Sequence, residues 1–278
     1  MFCIYHDDLD GLAAARVVAE FEKNFDLDRF FKANYTAELP YDKIEKDEKV
    51  YIVDYSFSEP QIDKLYKLLD ITKNIIWIDH HKSSIEAITN HPDLKEIPGL
   101  IKDGISGAAL TYMYLHNVEY DDIPLYLKYV SDYDCWIYKY GSSTEYFSCY
   151  MNSVDIGITS LIWDLISNEK YFNDIVLREG AAIRRYMTNI YKDIRESYAY
   201  EVDVEGHKAL VINGTGNSWL FGEAIDKYDL CIRWNYNGER YIYTIFSHSN
   251  VDASKIAVKY GGGGHKAAAG CSSVEKIW

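Results

Sequence analysis

The chain contains no apolar run approaching the roughly 18 residues that a membrane-spanning helix requires. Its first residues include Asp7, Asp8 and Asp10, where a secretory leader would carry basic residues ahead of a long apolar stretch. Neither a membrane span nor export is expected, and the expected location is the cytoplasm. Cysteine is sparse and unpatterned. Cys3, Cys135, Cys149, Cys231 and Cys271 are odd in number and contain no CxxC pair, which points to reduced thiols rather than a disulfide framework. Positive charge is also in short supply: 29 Lys and Arg face 43 Asp and Glu, for a formal net charge of −14. That balance argues against broad adhesion to a long phosphate backbone. It leaves a short nucleotide open as a ligand, because bound divalent cations neutralise clustered carboxylates locally. Internal repeats and low-complexity tracts are absent too.

The 278 residues, 48% of them hydrophobic, are enough to bury one large core or two smaller ones. The most informative stretch is Ile75-Ile76-Trp77-Ile78-Asp79-His80-His81. Its apolar part reads as a strand buried on both faces, and it stops at one acid and two imidazoles. Two other runs have the same form, residues 2–5 leading into His6-Asp7-Asp8-Leu9-Asp10 and residues 50–53 leading into Asp54. Helical patterns over 11–25 and 59–70, with a further strand over 30–35, give a β-α-β-α-β order. An α/β fold with a parallel sheet is therefore expected. Further helices are predicted over 106–116 and 122–133.

A long charged helical segment over 174–200 predicts a boundary between about 167 and 199, dividing the chain into residues 1–170, a helical linker 171–200 and a smaller α/β domain 201–278. In that last part, strands are expected over 208–212, 229–234 and 240–246, with a hairpin turn at Asn237-Gly238. Helices are expected over 219–228 and 253–260. A tetraglycine, Gly261–Gly264, then leads into His265 and Lys266, with a helix expected from Ala267.

Open α/β sheets bind ligands at the carboxyl ends of their strands, so parallel alignment would bring three sets of donors to one edge. In extended backbone His6, Asp8 and Asp10 point to one side, converging with Asp54 and His80. Oxygen and imidazole donors suit manganese, magnesium or iron better than a structural zinc. Each acid also has an ordinary alternative: Asp8 and Asp10 as acids at a helix start, Asp54 as an N-cap or Asx-turn acid, Asp132 or Asp134 as a cap or loop acid. Asp54, alone on its strand end, fits a carboxylate bridging two ions. The four glycines permit positive φ and close backbone approach, so that Gly262, Gly263 and Gly264 could present N–H groups to an anion, with His265 and Lys266 as a positive edge.

In order along the chain, His6-Asp-Asp8-Leu-Asp10-Gly11, Asp54, Asp79-His80-His81, the Asp132 region and Gly261-Gly-Gly-Gly-His265-Lys-Ala-Ala-Ala-Gly270 resemble the DHH phosphoesterase family, over residues 6 to 270. The resemblance is to the branch that joins a DHH catalytic domain to a DHH-associated substrate-binding domain and includes the oligoribonucleases. It implies a dinuclear manganese centre, with magnesium or another divalent ion as the alternative. His6 and Asp8 would hold one ion; Asp10, His80 and Asp132 would hold the other; Asp54 would bridge. Asp132 is preferred to Asp134 because Trp136 follows it as an aromatic does in the family. Asp79 would orient ligands, His81 would contact the scissile phosphate or assist the leaving group, and Ser247 with Gly262–His265 would bind substrate.

The implied reaction is hydrolysis of short oligonucleotides or linear dinucleotides to mononucleotides by two-metal activation of water. The implied partners are the substrate itself and, compatibly, a second copy of the chain as a homodimer, with no membrane and no stable complex with long nucleic acid. Two features depart from parts of the family. The HxDxD spacing differs from the HxxxDxD of members that also act on phosphoadenosine phosphate, and Phe246-Ser247 stands where many relatives have Arg-Ser. The alternatives are a cyclic-dinucleotide phosphodiesterase or phosphoadenosine-phosphate phosphatase, and, in another class, a catalytically inert nucleotide-binding regulator.

Overall fold

The computed structural model describes residues 1–34, 38–264 and 266–278. The chain divides into two compact units, Met1–Ile183 and Arg184–Trp278.

In the first unit, β1 (Phe2–His6), β2 (Phe30–Ala33), β3 (Val50–Val53), β4 (Ile75–Asp79) and β5 (Gly99–Ile101) form an all-parallel sheet in the order β2-β1-β3-β4-β5. Its connections carry α1 (Leu9–Glu22), α2 (Ile62–Ile71) and α3 (Lys82–Asn90), and α4 (Gly107–His116), α5 (Leu125–Asp134) and α6 (Ser142–Met151) follow β5. Successive strand residues face opposite sides, and both sides are buried. Cys3, Tyr5, Tyr51 and Val53 pack with α1, α4, α5 and α6, while Phe2, Ile4, Val50 and Ile52 pack with α2 and Trp77. This two-sided burial is why the strands read as continuous apolar runs rather than alternating ones. Trp77, 1% exposed, is the largest side chain of the second layer; its truncation to alanine would cost about 3–5 kcal/mol.

α1 begins where the Asp8 carboxylate accepts a hydrogen bond from Gly11 N at 2.8 Å, an N-cap that satisfies one of the helix's unpaired donors. Gly11 permits the close approach of α1 to β1, since a Cβ there would lie 2.2 Å from the His6 carbonyl oxygen. Short helices α7 (Ile162–Ile166) and α8 (Glu169–Tyr171) follow, and then α9 (Leu177–Tyr198).

The second unit is built on a six-stranded sheet of β6 (Ala199–Val204), β7 (His207–Asn213), β8 (Leu230–Tyr236), β9 (Tyr241–Phe246), β10 (Gly263–Gly264) and β11 (Ala268–Ser273), ordered β10-β11-β9-β8-β7-β6. β7 and β8 are parallel and the other pairs antiparallel. The predicted hairpin is present: Asn237 N donates to Arg240 O, and Gly238 takes φ 102°. α10 (Ala253–Lys259) covers one face through Ala253, Ile256 and Ala257.

Three local expectations differ. Residues 268–273 form a strand rather than the helix expected from Ala267, because β11 finds a full ladder of partners on β9, and tertiary pairing overrides the helical preference of three alanines. The segment Ser218–Asp226 is a 3-10 turn pair broken at Gly222 (φ 52°), not a regular helix. β2 ends at Ala33, and Tyr35 lies outside the described residues. Among the described residues no helix is long and apolar enough to cross a membrane, and all five cysteines are free thiols.

Candidate metal centre

The strand register explains how distant residues meet. Tyr5 pairs with Val53, and Val53 with Ile78, so the next residues along each strand, His6, Asp54 and Asp79, form one row at the carboxyl edge. The strand order reverses between β1 and β3, the topological switch point where ligands lodge in sheets of this order. His6 and Asp54 stand on its two sides.

The side chains close up further. His6 Nδ1 lies 2.7 Å from Asp8 Oδ2 and 3.9 Å from Asp54 Oδ2. His80 Nε2 lies 3.2 Å from Asp54 Oδ1, 3.2 Å from Asp134 Oδ2 and 3.8 Å from Asp10 Oδ2. Asp54 thus turns one oxygen toward each histidine. It is 1% exposed, takes a left-handed backbone (φ 53°), and neither carboxylate oxygen has a hydrogen-bond partner. A buried carboxylate without a hydrogen-bond donor is costly, and its own left-handed backbone adds to that cost, as at sites where local stability has yielded to function. Gly107 makes room for it, since a Cβ there would lie 2.5 Å from Asp54 Cβ. The donor set and the orphaned Asp54 oxygens fit divalent cations. Three groups could hold one: His6, Asp8 and Asp54; Asp54, Asp79, His80 and His81; and His80, Asp134 and Cys135.

The other expected ligands fall differently. Asp10 approaches His80 but is also held by the start of α4, accepting from Gly107 N at 2.7 Å and Ala108 N at 3.0 Å. Asp132 does not face the cluster. Its carboxylate accepts from Lys139 N at 2.7 Å, Tyr140 N at 3.2 Å and the Thr144 hydroxyl, so it is the loop-capping acid of this region. Asp132, expected as the last ligand, is thus engaged in the loop, whereas Asp134, two residues on in the last turn of α5, brings its Oδ2 to 3.2 Å from His80 Nε2. Cys135 was absent from the expected site, yet its Sγ is 3.9 Å from His80 Nδ1; its position next to Asp134 was the only signal.

His81 and Asp79 pair as a unit. His81 Nδ1 is 2.7 Å from Asp79 Oδ1, and Ser84 Oγ donates to the other Asp79 oxygen. Burial would raise the Asp79 pKa, but His81 and these hydrogen bonds hold it below the usual carboxylate range.

The expected substrate residues lie in the second unit. Gly263 and Gly264 form β10 against β11, and Gly262 and Gly264 are required by close packing, with added Cβ atoms 2.0 Å from Gly270 O and 2.6 Å from Ala269 Cα. Ser247 is buried, with its hydroxyl donating to Asp229 O at 3.2 Å, and so braces a loop. His265 lies outside the described residues.

No protein-family profile matches the chain. Oligoribonuclease NrnB of Bacillus subtilis strain 168 is 21% identical over 306 residues, covering 100% of this chain and 74% of NrnB. An uncharacterized protein, R106 of Acanthamoeba polyphaga mimivirus, is 24% identical over 250 residues, 85% of this chain; the chain spans 55% of that protein's length. Among solved structures, the DHH domain of a protein described as a member of a family of ribosomal proteins superposes with a TM-score of 0.59 at 15% identity, covering 97% of this chain and 81% of its own. PggH, a pGpG-specific phosphodiesterase from Vibrio cholerae, gives 0.50 at 13% identity over 98% and 92%. These likenesses show that the chain has the fold of a DHH domain.

Crowding of like charge in this centre has a measurable consequence. Burial, followed by the carboxylates of Asp10, Asp8, Asp134 and Asp79, pushes the Asp54 pKa well above the carboxylate range. Burial and Asp10 push Asp134 up to about 7. For His80, burial opposes the charge, but Cys135 and the carboxylates of Asp10, Asp134 and Asp79 prevail and raise it to about 10. All three groups bind protons more tightly folded than unfolded, so without metal their contribution to stability falls as pH rises through about 4 to 10. Divalent cations replace those protons. Saturating manganese should therefore raise the melting temperature more at pH 8 than at pH 5.5; at one hundred times the dissociation constant, the gain is about 2.7 kcal/mol, or roughly 5–10 °C. Thermal melts with and without manganese at both pH values test this, and equal shifts would refute the charge-crowding account.

Proposed function

We propose that this chain is a manganese-dependent phosphodiesterase that hydrolyses short oligonucleotides or linear dinucleotides to mononucleotides. The carrying observation is the orphaned Asp54 carboxylate, buried between His6 and His80 with one oxygen turned toward each. In this reading His6 and Asp8 hold one cation, Asp10, His80 and Asp134 hold the second, and Asp54 is shared. Held there, divalent cations would supply Lewis-acid neutralisation of the phosphoryl group and would lower the pKa of water toward about 7.

The protein's own residues do the rest. The Asp79 carboxylate receives the Nδ1 proton of His81 and fixes the ring, leaving Nε2 to hold or deliver a proton at the phosphoryl oxygen or leaving group. Ser84 and the full burial of Asp79 keep that pair from turning. The helix start at Gly107 and Ala108 fixes Asp10, and Gly11 N fixes Asp8. These hydrogen bonds orient the ligands before any cation arrives, the kind of support whose loss typically costs about 10–100-fold in affinity or activity.

The surplus of acids favours short substrates, because a long phosphate backbone would meet net repulsion outside the cation-bearing site. NrnB is named an oligoribonuclease and PggH a pGpG-specific phosphodiesterase, which supports short linear substrates here. The free thiols are compatible with a reducing, cytoplasmic setting.

The test is a panel of matched substrates with purified protein and manganese: a linear dinucleotide, RNA and DNA oligomers of graded length, cyclic dinucleotides and phosphoadenosine phosphate, followed by chromatography. The dinucleotide and shortest oligomers should disappear first and yield mononucleotides. Faster loss of a cyclic dinucleotide or of phosphoadenosine phosphate would replace this substrate assignment. Manganese binding without any turnover would favour a nucleotide-binding regulator.

A further inference from the structure

The second unit carries a half-buried arginine that the metal centre does not use. β8 alternates between the two faces of its sheet: Ile232 packs with α10 on one side, and Cys231 packs with Ile212 and Phe246 on the other. Arg233 pairs with Ile212 and Thr244, and cross-strand partners share a face. An arginine and then Asn235 therefore continue a face that begins apolar at Cys231. Both residues are half-buried. Arg233 Nε and Asn235 Oδ1 are each buried without a hydrogen-bond partner, and among the described residues Arg233 has no ion-pair partner.

Buried polar atoms are ordinarily satisfied, and a guanidinium out of water is ordinarily paired. Here an unpartnered donor and an unpartnered acceptor lie two residues apart on one face, about 7 Å along the strand. A bare anion would answer only the first. A ligand that carries both an anionic group and a hydroxyl answers both.

The neighbouring strands leave a place for it. The row that contains Arg233 runs across the sheet through Thr244 to Gly270 and Gly263. Thr244 offers a hydroxyl beside the guanidinium. Gly270 is exposed, and a Cβ added there would meet only Tyr243 O, at 3.5 Å, so the floor next to Thr244 bears no side chain. Strands are spaced about 4.8 Å apart, which puts that floor within reach of an extended arginine. Arg240, on the same hairpin, is held by Ser272 Oγ and Ser272 O, which leaves Arg233 as the arginine of this row.

We propose that Arg233, Thr244 and Asn235 form a seat for a ribose phosphate on this face of the second sheet. Arg233 and Thr244 hydrogen-bond the phosphate oxygens, and Asn235 Oδ1 accepts from a sugar hydroxyl. The site lies wholly within the second unit. Its natural ligand, one nucleotide of the substrate, rests on the phosphodiesterase reading. The physical seat does not.

The test is equilibrium dialysis of the full chain in EDTA, where no cation can hold a phosphate at the metal centre, using AMP, adenosine and inorganic phosphate as probes. AMP should be retained and adenosine not. Arg233→Gln should weaken AMP retention roughly ten-fold or more, as expected for a lost charge-assisted contact. Asn235→Ala should weaken AMP but leave inorganic phosphate unchanged. Failure of the parent to retain AMP, or retention by a folded Arg233→Gln variant within two-fold of the parent, overturns the proposal. If Arg233→Gln does not fold, Thr244→Val and Asn235→Ala decide, and parent-like AMP binding by both overturns it equally. The substrate panel is independent: no hydrolysis beside Arg233-dependent AMP binding would remove the phosphodiesterase reading and keep the seat.

Discussion

Replacing Asp54 by asparagine is expected to lower turnover of a linear dinucleotide by about a thousand-fold, the equivalent of several kcal/mol of transition-state stabilisation, and to remove bound manganese with it. The same substitution should make the metal-free protein more stable. Asp54 is buried among four other carboxylates with neither oxygen hydrogen-bonded, so an amide relieves repulsion that His80, 3.2 Å from Oδ1, offsets only in part. A gain of about 1–3 kcal/mol is the expected scale for relieving an unsatisfied buried group. The pair of measurements separates a ligand from a structural acid: metal content with kcat on one side, and a melt in EDTA on the other. A variant that loses activity and also melts lower without metal would show that Asp54 supports the fold instead.

The second large effect separates two acids that stand two residues apart. Asp134→Asn is expected to lower turnover by about a hundred-fold or more while leaving the metal-free melting temperature near or above that of the parent, because burial and Asp10 already disfavour its charge. Asp132→Ala should do the opposite first. It strips the acceptor from Lys139 N, Tyr140 N and Thr144, leaving those donors unsatisfied, at about 1–3 kcal/mol each where water cannot reach them. Its melting temperature should fall by several degrees, with activity lost in proportion to unfolding. Metal content measured per folded molecule decides: if Asp132→Ala empties the site and Asp134→Asn does not, the ligand assignment reverses.

That pair also shows where the sequence stopped being legible. Strand ends carrying His6, Asp54 and His80 were readable because apolar runs and parallel order dictate a shared edge, whatever the loops do. On a helix, residues two apart diverge by roughly 200°, so choosing between Asp132 and Asp134 needed the rotation of α5, which the Trp136 resemblance did not supply. The glycine run was legible as a place of close backbone approach, but not as the edge of a sheet, since its partner β11 looked helical until β9 was placed beside it. Arg233 left only a faint trace, a charge where period-two alternation would put an apolar residue.

The row formed by His6, Asp54 and Asp79 has a mechanical consequence. These residues hang from adjacent rungs of one hydrogen-bonded ladder, so the gap between the two halves of the centre is gauged by strand spacing, about 4.8 Å, and not by loops that breathe. A loop insertion between strands would leave that gauge untouched. Slipping a single residue within β1 or β3 would move a ligand off the row and turn its side chain to the far face. The connections can drift widely in sequence while the spacing of this edge stays fixed.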